Sequence, residues 1–348
     1  MKKLIYFIAV VLLVIGCNRS EEPAAQGIAD NSPEAEYEVD LLYPVMNAGQ
    51  WGYVNQQGEF IVPPQFEYAW SFSGELALVQ LNGNHGFINR EGEMVIAPEF
   101  TEAMQFSDGL ALVQIGGASG YINTSGEIAI PAQYERALWF SEGLAGVLVG
   151  GRWGYINTQG EMVIQPLFQS AAVFSEGMAN VRFNNRYGFI NTSGDFAIEP
   201  EFDFVLGFSE GLAIVVADGM CGFINTDGEM VIPADIENTL GFQGGLALVR
   251  EEGKCGFINK RGETVITPQY ENAGGFFGGL SFVQAGDLRG YINPQGEVVI
   301  PFQYDGAGNF SEGLAPVVVG GKCGFIDTDG EYAIEPRFDY LEPMAEWK

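Results

Sequence analysis

The chain of 348 residues holds few side chains able to attack a substrate, ligate a metal or shuttle a proton, and most of them stand at repeating positions. Its single histidine, His85, is the only residue around which Ser-His-Asp or Cys-His catalysis could be built, and a multi-histidine zinc site is excluded. His85 fills a position that other segments give to Trp, Tyr, Ser, Arg or Cys, which marks packing rather than catalysis. Cys221, Cys255 and Cys323 stand at that same position and read as small buried apolar residues. Cys221 and Cys255, in consecutive segments, are the candidate disulfide pair for an oxidising compartment, with Cys323 left over. Acids recur after a turn glycine at Glu59, Glu93, Glu127, Glu161, Asp195, Glu229, Glu263, Glu297 and Glu331, a ladder whose plainest role is to blunt strand pairing. Asp327, Asp329 and Glu331 form a weak calcium candidate that lacks the remaining ligand spacing of an EF-hand loop. Paired carboxylates could cleave a glycan, but no segment breaks the common pattern as a catalytic pair would. No catalytic residue is therefore assigned, the chain is read as a non-enzyme, and no cofactor other than calcium is considered.

Positioning these side chains falls to a strict repeat. One dipeptide position recurs every 34 residues, at Trp51-Gly52, His85-Gly86, Ser119-Gly120, Trp153-Gly154, Tyr187-Gly188, Cys221-Gly222, Cys255-Gly256, Arg289-Gly290 and Cys323-Gly324. Each unit reads as β throughout. A first strand such as Leu76–Gln80 enters a two-residue turn of the Asn82-Gly83 kind, which tolerates the positive φ of primed turns. A second strand, Gly86–Asn89, meets a turn opened by Asn and closed by Gly92, as in a type I turn with a bulge. A third, Glu93–Ile96, is expected to end at proline (Pro98), with an aromatic following. A Phe-Ser-Glu-Gly-Leu-Ala stretch completes the unit, as at Phe140–Ala145. One such meander cannot bury its own apolar face, so neighbours must share it.

These motifs resemble the WG-repeat (KWG) family over residues 40 to 340, through the x-Gly-Phe/Tyr-Ile-Asn-x-x-Gly-Glu-x-x-Ile-x-Pro-x-Phe/Tyr core. The resemblance implies a β-rich repeat array of variable copy number with no catalytic residues. Only Trp51 and Trp153 keep the family's tryptophan. Two architectures fit nine all-β units. The expectation is an open superhelical stack, because 34 residues is shorter than a blade of about 40 to 45 and nine exceeds the usual four to eight blades. The alternative is a closed propeller-like ring, which the strand offset between the two ends would suit.

The start of the chain reads as an export signal over residues 1–16, with Lys2 and Lys3 before an apolar run from Leu4 to Ile15. Val14-Ile15-Gly16-Cys17 resembles the lipobox of bacterial lipoproteins, which implies acylation of Cys17. Residues 17–39 then read as an acidic flexible tether and 40–348 as the repeat domain. With 45 acids against 16 bases and a formal charge of −29, the chain is a poor ligand for nucleic acid. The sequence thus predicts a non-catalytic envelope lipoprotein, extracytoplasmic at the outer membrane or cell surface and membrane-bound by its lipid anchor alone. Its repeats would bind or scaffold protein or polysaccharide partners. An acid-dependent glycan- or peptidoglycan-active enzyme and a self-assembling structural component are the alternatives. Trp70, Trp139 and Trp347, outside the dipeptide position, are the candidates for a surface role, beside the plainer reading as satellites of the core.

Overall fold

A computed structural model describes residues 41–341; the expected signal segment, Cys17, the tether and Trp347 lie outside them. The described chain is all-β and forms nine four-stranded antiparallel sheets, each built from consecutive strands a, b, c and d. In the second sheet these are Tyr68–Ser73, Leu76–Leu81, Asn84–Ile88 and Met94–Phe100. The first sheet takes its strands b, c and d from Tyr43–Asn47, Gln50–Val54 and Phe60–Phe66, and its strand a from the far end of the chain, Tyr340–Leu341. Pairing of Val45 with Leu341 and Met46 with Tyr340 closes the array. The molecule is a nine-bladed propeller.

The open stack is thus corrected to the ring, and the reason lies in two features of the repeat. Four strands fit into 34 residues because the links are tight, one residue from Phe66 to Tyr68 and two from Ser73 to Leu76, and strand a shrinks to two residues at Arg136–Ala137, Ser170–Ala171, Asn272–Ala273, Gly306–Ala307 and Tyr340–Leu341. The array also begins at a strand b and ends at a strand a, so its two ends complete one blade. Strand a has no alternating pattern and carries a register shift, between Ala69 and Phe72 in blade 2, which hides it from a periodicity reading.

The two turns read from the sequence are as expected. Ala48-Gly49, Asn82-Gly83 and Asn184-Asn185 have positive φ at both central residues. Asn89 caps its own turn: Oδ1 accepts from the Glu93 amide at 2.8 Å, Nδ2 donates to the Glu93 carboxylate at 3.0 Å, and Gly92 has φ 83°. The acid ladder therefore closes turns as well as opening strands.

Strand d does not end at proline. It runs on from Met94 to Phe100, and its register slips between the pairs Phe87↔Ile96 and His85↔Phe100, so Pro98 sits in an irregular stretch. An edge strand with an irregularity loses little by the missing amide. The same crossing explains the dipeptide glycine, since a Cβ at Gly86 would lie 2.6 Å from the Ile96 carbonyl oxygen and 2.8 Å from the Pro98 nitrogen.

The core lies between blades. Tyr155 of blade 4 is fully buried and its ring centroid lies 5.0 Å from that of Phe174 in blade 5, and equivalent pairs recur at Phe87–Phe106 (4.7 Å) and Phe223–Phe242 (4.9 Å). Each such side chain contributes about 1.5–3 kcal/mol of burial, and blade contacts only its neighbours.

Candidate functional site

His85 is half-buried, its Nδ1 3.1 Å from the Thr101 carbonyl oxygen and its ring 5.6 Å from that of Trp70. Trp51 is buried between Tyr68 and Tyr340, at centroid distances of 5.0 and 6.0 Å, and Trp153 is buried with the Arg136 guanidinium 5.9 Å from its ring. Trp70 packs on Tyr68 at 4.4 Å.

The Cys221–Cys255 disulfide is corrected: Cys221, Cys255 and Cys323 are free and buried. Equivalent positions of successive blades do not meet, because each thiol is held in its own sheet, Cys221 opposite Val216 and Ile236, Cys255 opposite Arg250 and Tyr270. They also belong to different inter-blade cores. Burial pushes all three thiols above their ordinary pKa, which disfavours the thiolate.

In the calcium candidate, Asp327 serves its own turn. Asp327 replaces the turn asparagine and its Oδ1 accepts from the Asp329 and Glu331 amides, both at 3.0 Å. Among the described residues no three His, Cys, Asp or Glu side chains converge to hold a metal.

What the fold does concentrate is the inner edge of the ring. Neighbouring blades are joined there by side chains that the sequence marked only as a repeated stretch. Ser107 donates to the Phe140 carbonyl at 2.6 Å, Ser141 to Phe174 at 2.7 Å and Ser175 to Phe208 at 3.0 Å. Beside them Asp108, Glu142 and Glu176 adopt φ of 50–55° and accept from the next blade's Gly143, Gly177 and Gly211 amides at 2.8–2.9 Å. Left-handed backbone costs a non-glycine residue about 1–2 kcal/mol, and the cross-blade hydrogen bond offsets part of that. The belt lapses in blades 7 and 8, where Gln243-Gly244 and Phe277-Gly278 replace Ser-Glu. A row of carboxylates thus rims one end of the axis on blades 3 to 6. Trp139 and Gln105 lie on the same inner edge, one residue before Phe140 and Phe106.

No curated protein matches this chain. Among solved structures, one described as a eukaryotic initiation factor is 12% identical with a TM-score of 0.62, covering 87% of this chain and 97% of its own, which shows a shared fold. BamB from Moraxella catarrhalis (12% identical, TM-score 0.39, 84% of this chain and 90% of its own) and Hsv2 from Kluyveromyces lactis (8%, 0.38, 70% and 89%) are more distant. The family model described as "WG containing repeat" matches nine times, at residues 51–84, 86–117, 120–153, 153–187, 187–221, 222–255, 256–288, 290–323 and 324–346. On those matches, which take in almost all of the described ring, the chain belongs to the WG-repeat family.

Proposed function

We propose that this protein is a non-catalytic binding or scaffolding module, held at the cell envelope by acylated Cys17 and presenting its ring to protein or polysaccharide partners. The observation that carries the reading is how the chain divides its residues. The repeated ones (the dipeptide glycine, the Asn-x-x-Gly turn, the inter-blade aromatic pairs) are committed to folding the ring. The variable ones lie at its turns and inner edge, where they touch solvent. A rigid scaffold with varied exposed positions is suited to recognition. The acidic surface supports partners that are neutral or basic over nucleic acid.

The test is capture of envelope proteins and polysaccharides from a membrane extract by the full chain, with and without calcium, and fatty-acid labelling of the wild type beside Cys17→Ser. Selective capture and label lost in Cys17→Ser are expected. Turnover of a polysaccharide by the purified chain would overturn the non-catalytic reading, and a failure to capture anything would overturn the binding one.

A further inference from the structure

Strand d is the outer edge of every sheet and is paired on one side only. Right after the ladder acid it opens with two residues of variable size. They are Ile-Ala in blade 3, Phe-Ala in blade 5, Thr-Val in blade 7 and Tyr-Ala in blade 9, so the larger pairs of blades 4, 6 and 8 stand apart from one another. Blades 1 and 2 are the adjoining blades in which all four are large, Phe60-Ile61 and Met94-Val95. Phe60 is 37% exposed, Ile61 44%, Met94 38% and Val95 44%. The register explains why they stay in solvent. Strand d pairs Val62 with Tyr53 but Phe60 with Val54, so Ile61 is an extra residue without a partner on strand c, and Val95 is its equivalent in blade 2.

The two pairs form one patch. A Cβ at the turn glycine Gly92 of blade 2 would lie 2.9 Å from the Val62 side chain of blade 1, so the seam carries Ile61 on one side and Glu93-Met94 on the other. Phe60 meets Phe338 of blade 9 edge-on at 5.8 Å and extends the patch around the rim. Contiguous apolar surface left in water marks a contact surface. Addition of a fifth strand is blocked, because Pro63 and Pro64 in blade 1 and Pro98 in blade 2 remove edge amides. A partner must therefore pack through side chains, across two blades rather than along one strand.

Charge selects the occupant. Glu59, Glu91 and Glu93 border the patch and are exposed. The nearby cations are engaged elsewhere: Arg90 donates to the Gly74 carbonyl at 2.9 Å and reaches Glu75 at 3.5 Å, and Arg337 donates to the Gly58 carbonyl. A second copy docked by the same patch, or an anionic lipid surface, would set negative charge on negative charge. The chain's own residues 17–39 carry six acids against Arg19 and are repelled in the same way. Resting on the binding-module reading above, we propose that the outer rim of blades 1 and 2 docks a cationic amphipathic helix of a partner protein. Its apolar stripe covers Ile61, Met94 and Val95, and lysines or arginines on its flanks meet Glu59, Glu91 and Glu93.

The full chain is titrated with a fluorescent synthetic helix that has leucine along one face and lysine on the other. Its glutamate counterpart and a peptide of the same lysine and leucine content in scrambled order are the comparisons. The cationic amphipathic peptide is expected to bind, more weakly as salt rises. Its affinity should fall about ten-fold or more in Ile61→Ser with Val95→Ser. The same loss is expected in Glu59→Gln with Glu93→Gln, where the amide oxygen can still accept from Asn55 and Asn89. Val265→Ser with Glu263→Gln, on blade 7, should leave it unchanged. Unchanged melting temperatures show that the variants fold. Equal binding of the glutamate or scrambled peptide, equal loss in the blade 7 variant, or binding that survives both rim variants overturns the site. A dimer of the full chain that dissociates in Ile61→Ser with Val95→Ser puts a second copy on the patch and overturns the helix. If no peptide binds while an envelope protein is still captured, the rim proposal alone falls; if capture fails too, the binding module falls with it.

Discussion

The junction between blades 4 and 5 and the junction between blades 9 and 1 seal the same kind of interface with different residues. In the first, Phe174 lies on Tyr155, the Tyr155 hydroxyl donates to the Ala172 carbonyl at 2.8 Å, and Ser141 donates to the Phe174 carbonyl. In the second, the ring facing Phe325 belongs to Tyr43, at 4.9 Å, which stands where the other blades have Ala77, Ala111, Ala145, Ala179, Ala213, Ala247, Ser281 or Ala315. Arg337 donates to the Gly58 carbonyl, Phe60 meets Phe338 edge-on at 5.8 Å, and Asp339 accepts from the Ala48 amide at 2.7 Å while pairing with Lys322. A chain-continuous junction closes a short loop, whereas this one joins residues 291 apart. Its closure costs more entropy. The edge-on pair has an equivalent in Phe168–Phe196 and the Asp339–Lys322 pair in Glu271–Lys254, whereas Tyr43 and Arg337 are peculiar to this junction.

The largest effect is expected where an ordinary junction loses its ring. Phe174→Ala opens a cavity against a fully buried Tyr155 and should cost about 3–5 kcal/mol, measured by denaturant unfolding. Tyr43→Ala tests whether the substitute ring at the closing junction matters as much. Tyr43 is half-buried, so about 2 kcal/mol is expected. The loss should appear as faster hydrogen exchange confined to residues 43–47 and 340–341. A uniform rise around the ring would show that the closing junction is not a separate weak point.

Tyr155→Phe keeps the ring and removes one hydroxyl. It should cost about 1 kcal/mol, because the Ala172 carbonyl is left without its donor. The comparison sharpens at the junction of blades 7 and 8, where Phe257 of blade 7 has no hydroxyl and Ser281 of blade 8 donates to the Gly274 carbonyl of its own blade instead, at 3.0 Å. Ser281→Ala should therefore cost a similar amount, and a neutral result would break the equivalence.

Much of this was legible in the sequence. The 34-residue period, the primed turns and the Asn-x-x-Gly turn follow from glycine and asparagine at fixed phase, since only such residues accept left-handed backbone cheaply. Strand a was not legible: two residues such as Arg136–Ala137 carry no periodicity, and their pairing is set by the neighbouring strand. Closure did leave a signal. A tyrosine at an alanine position (Tyr43) and the one basic residue at its position (Arg337, where other blades have Gln, Glu, Asp or Leu) mark the two ends as partners. Of the inner edge, Trp139 stood out as a tryptophan away from the dipeptide position, whereas the carbonyls that Ser107, Ser141 and Ser175 reach belong to the next blade and needed the fold.

The smallest effect is electrostatic. The Lys322 ammonium first, and then the Ala48 amide, hold the Asp339 carboxyl below its ordinary value of 3.8. A carboxylate depressed in the folded state favours folding fully above that value, and its contribution disappears as the pH falls from 3.8 through the lower folded value. Asp339 is solvent-exposed, so the contribution is screened, and added salt should shrink it further. Asp339→Asn cannot titrate, so its unfolding midpoint should fall less steeply than the wild type's over that acid window, while the two slopes coincide at neutral pH. Glu271, lowered chiefly by its hydrogen bond with Lys254, supplies the control within blades 7 and 8. Glu271→Gln should flatten the same acid slope without changing exchange at residues 340–341. Exchange at the closing strand that responds equally to both substitutions would mean that acid loosens the whole ring at once, and the distinction between its two kinds of junction would fail.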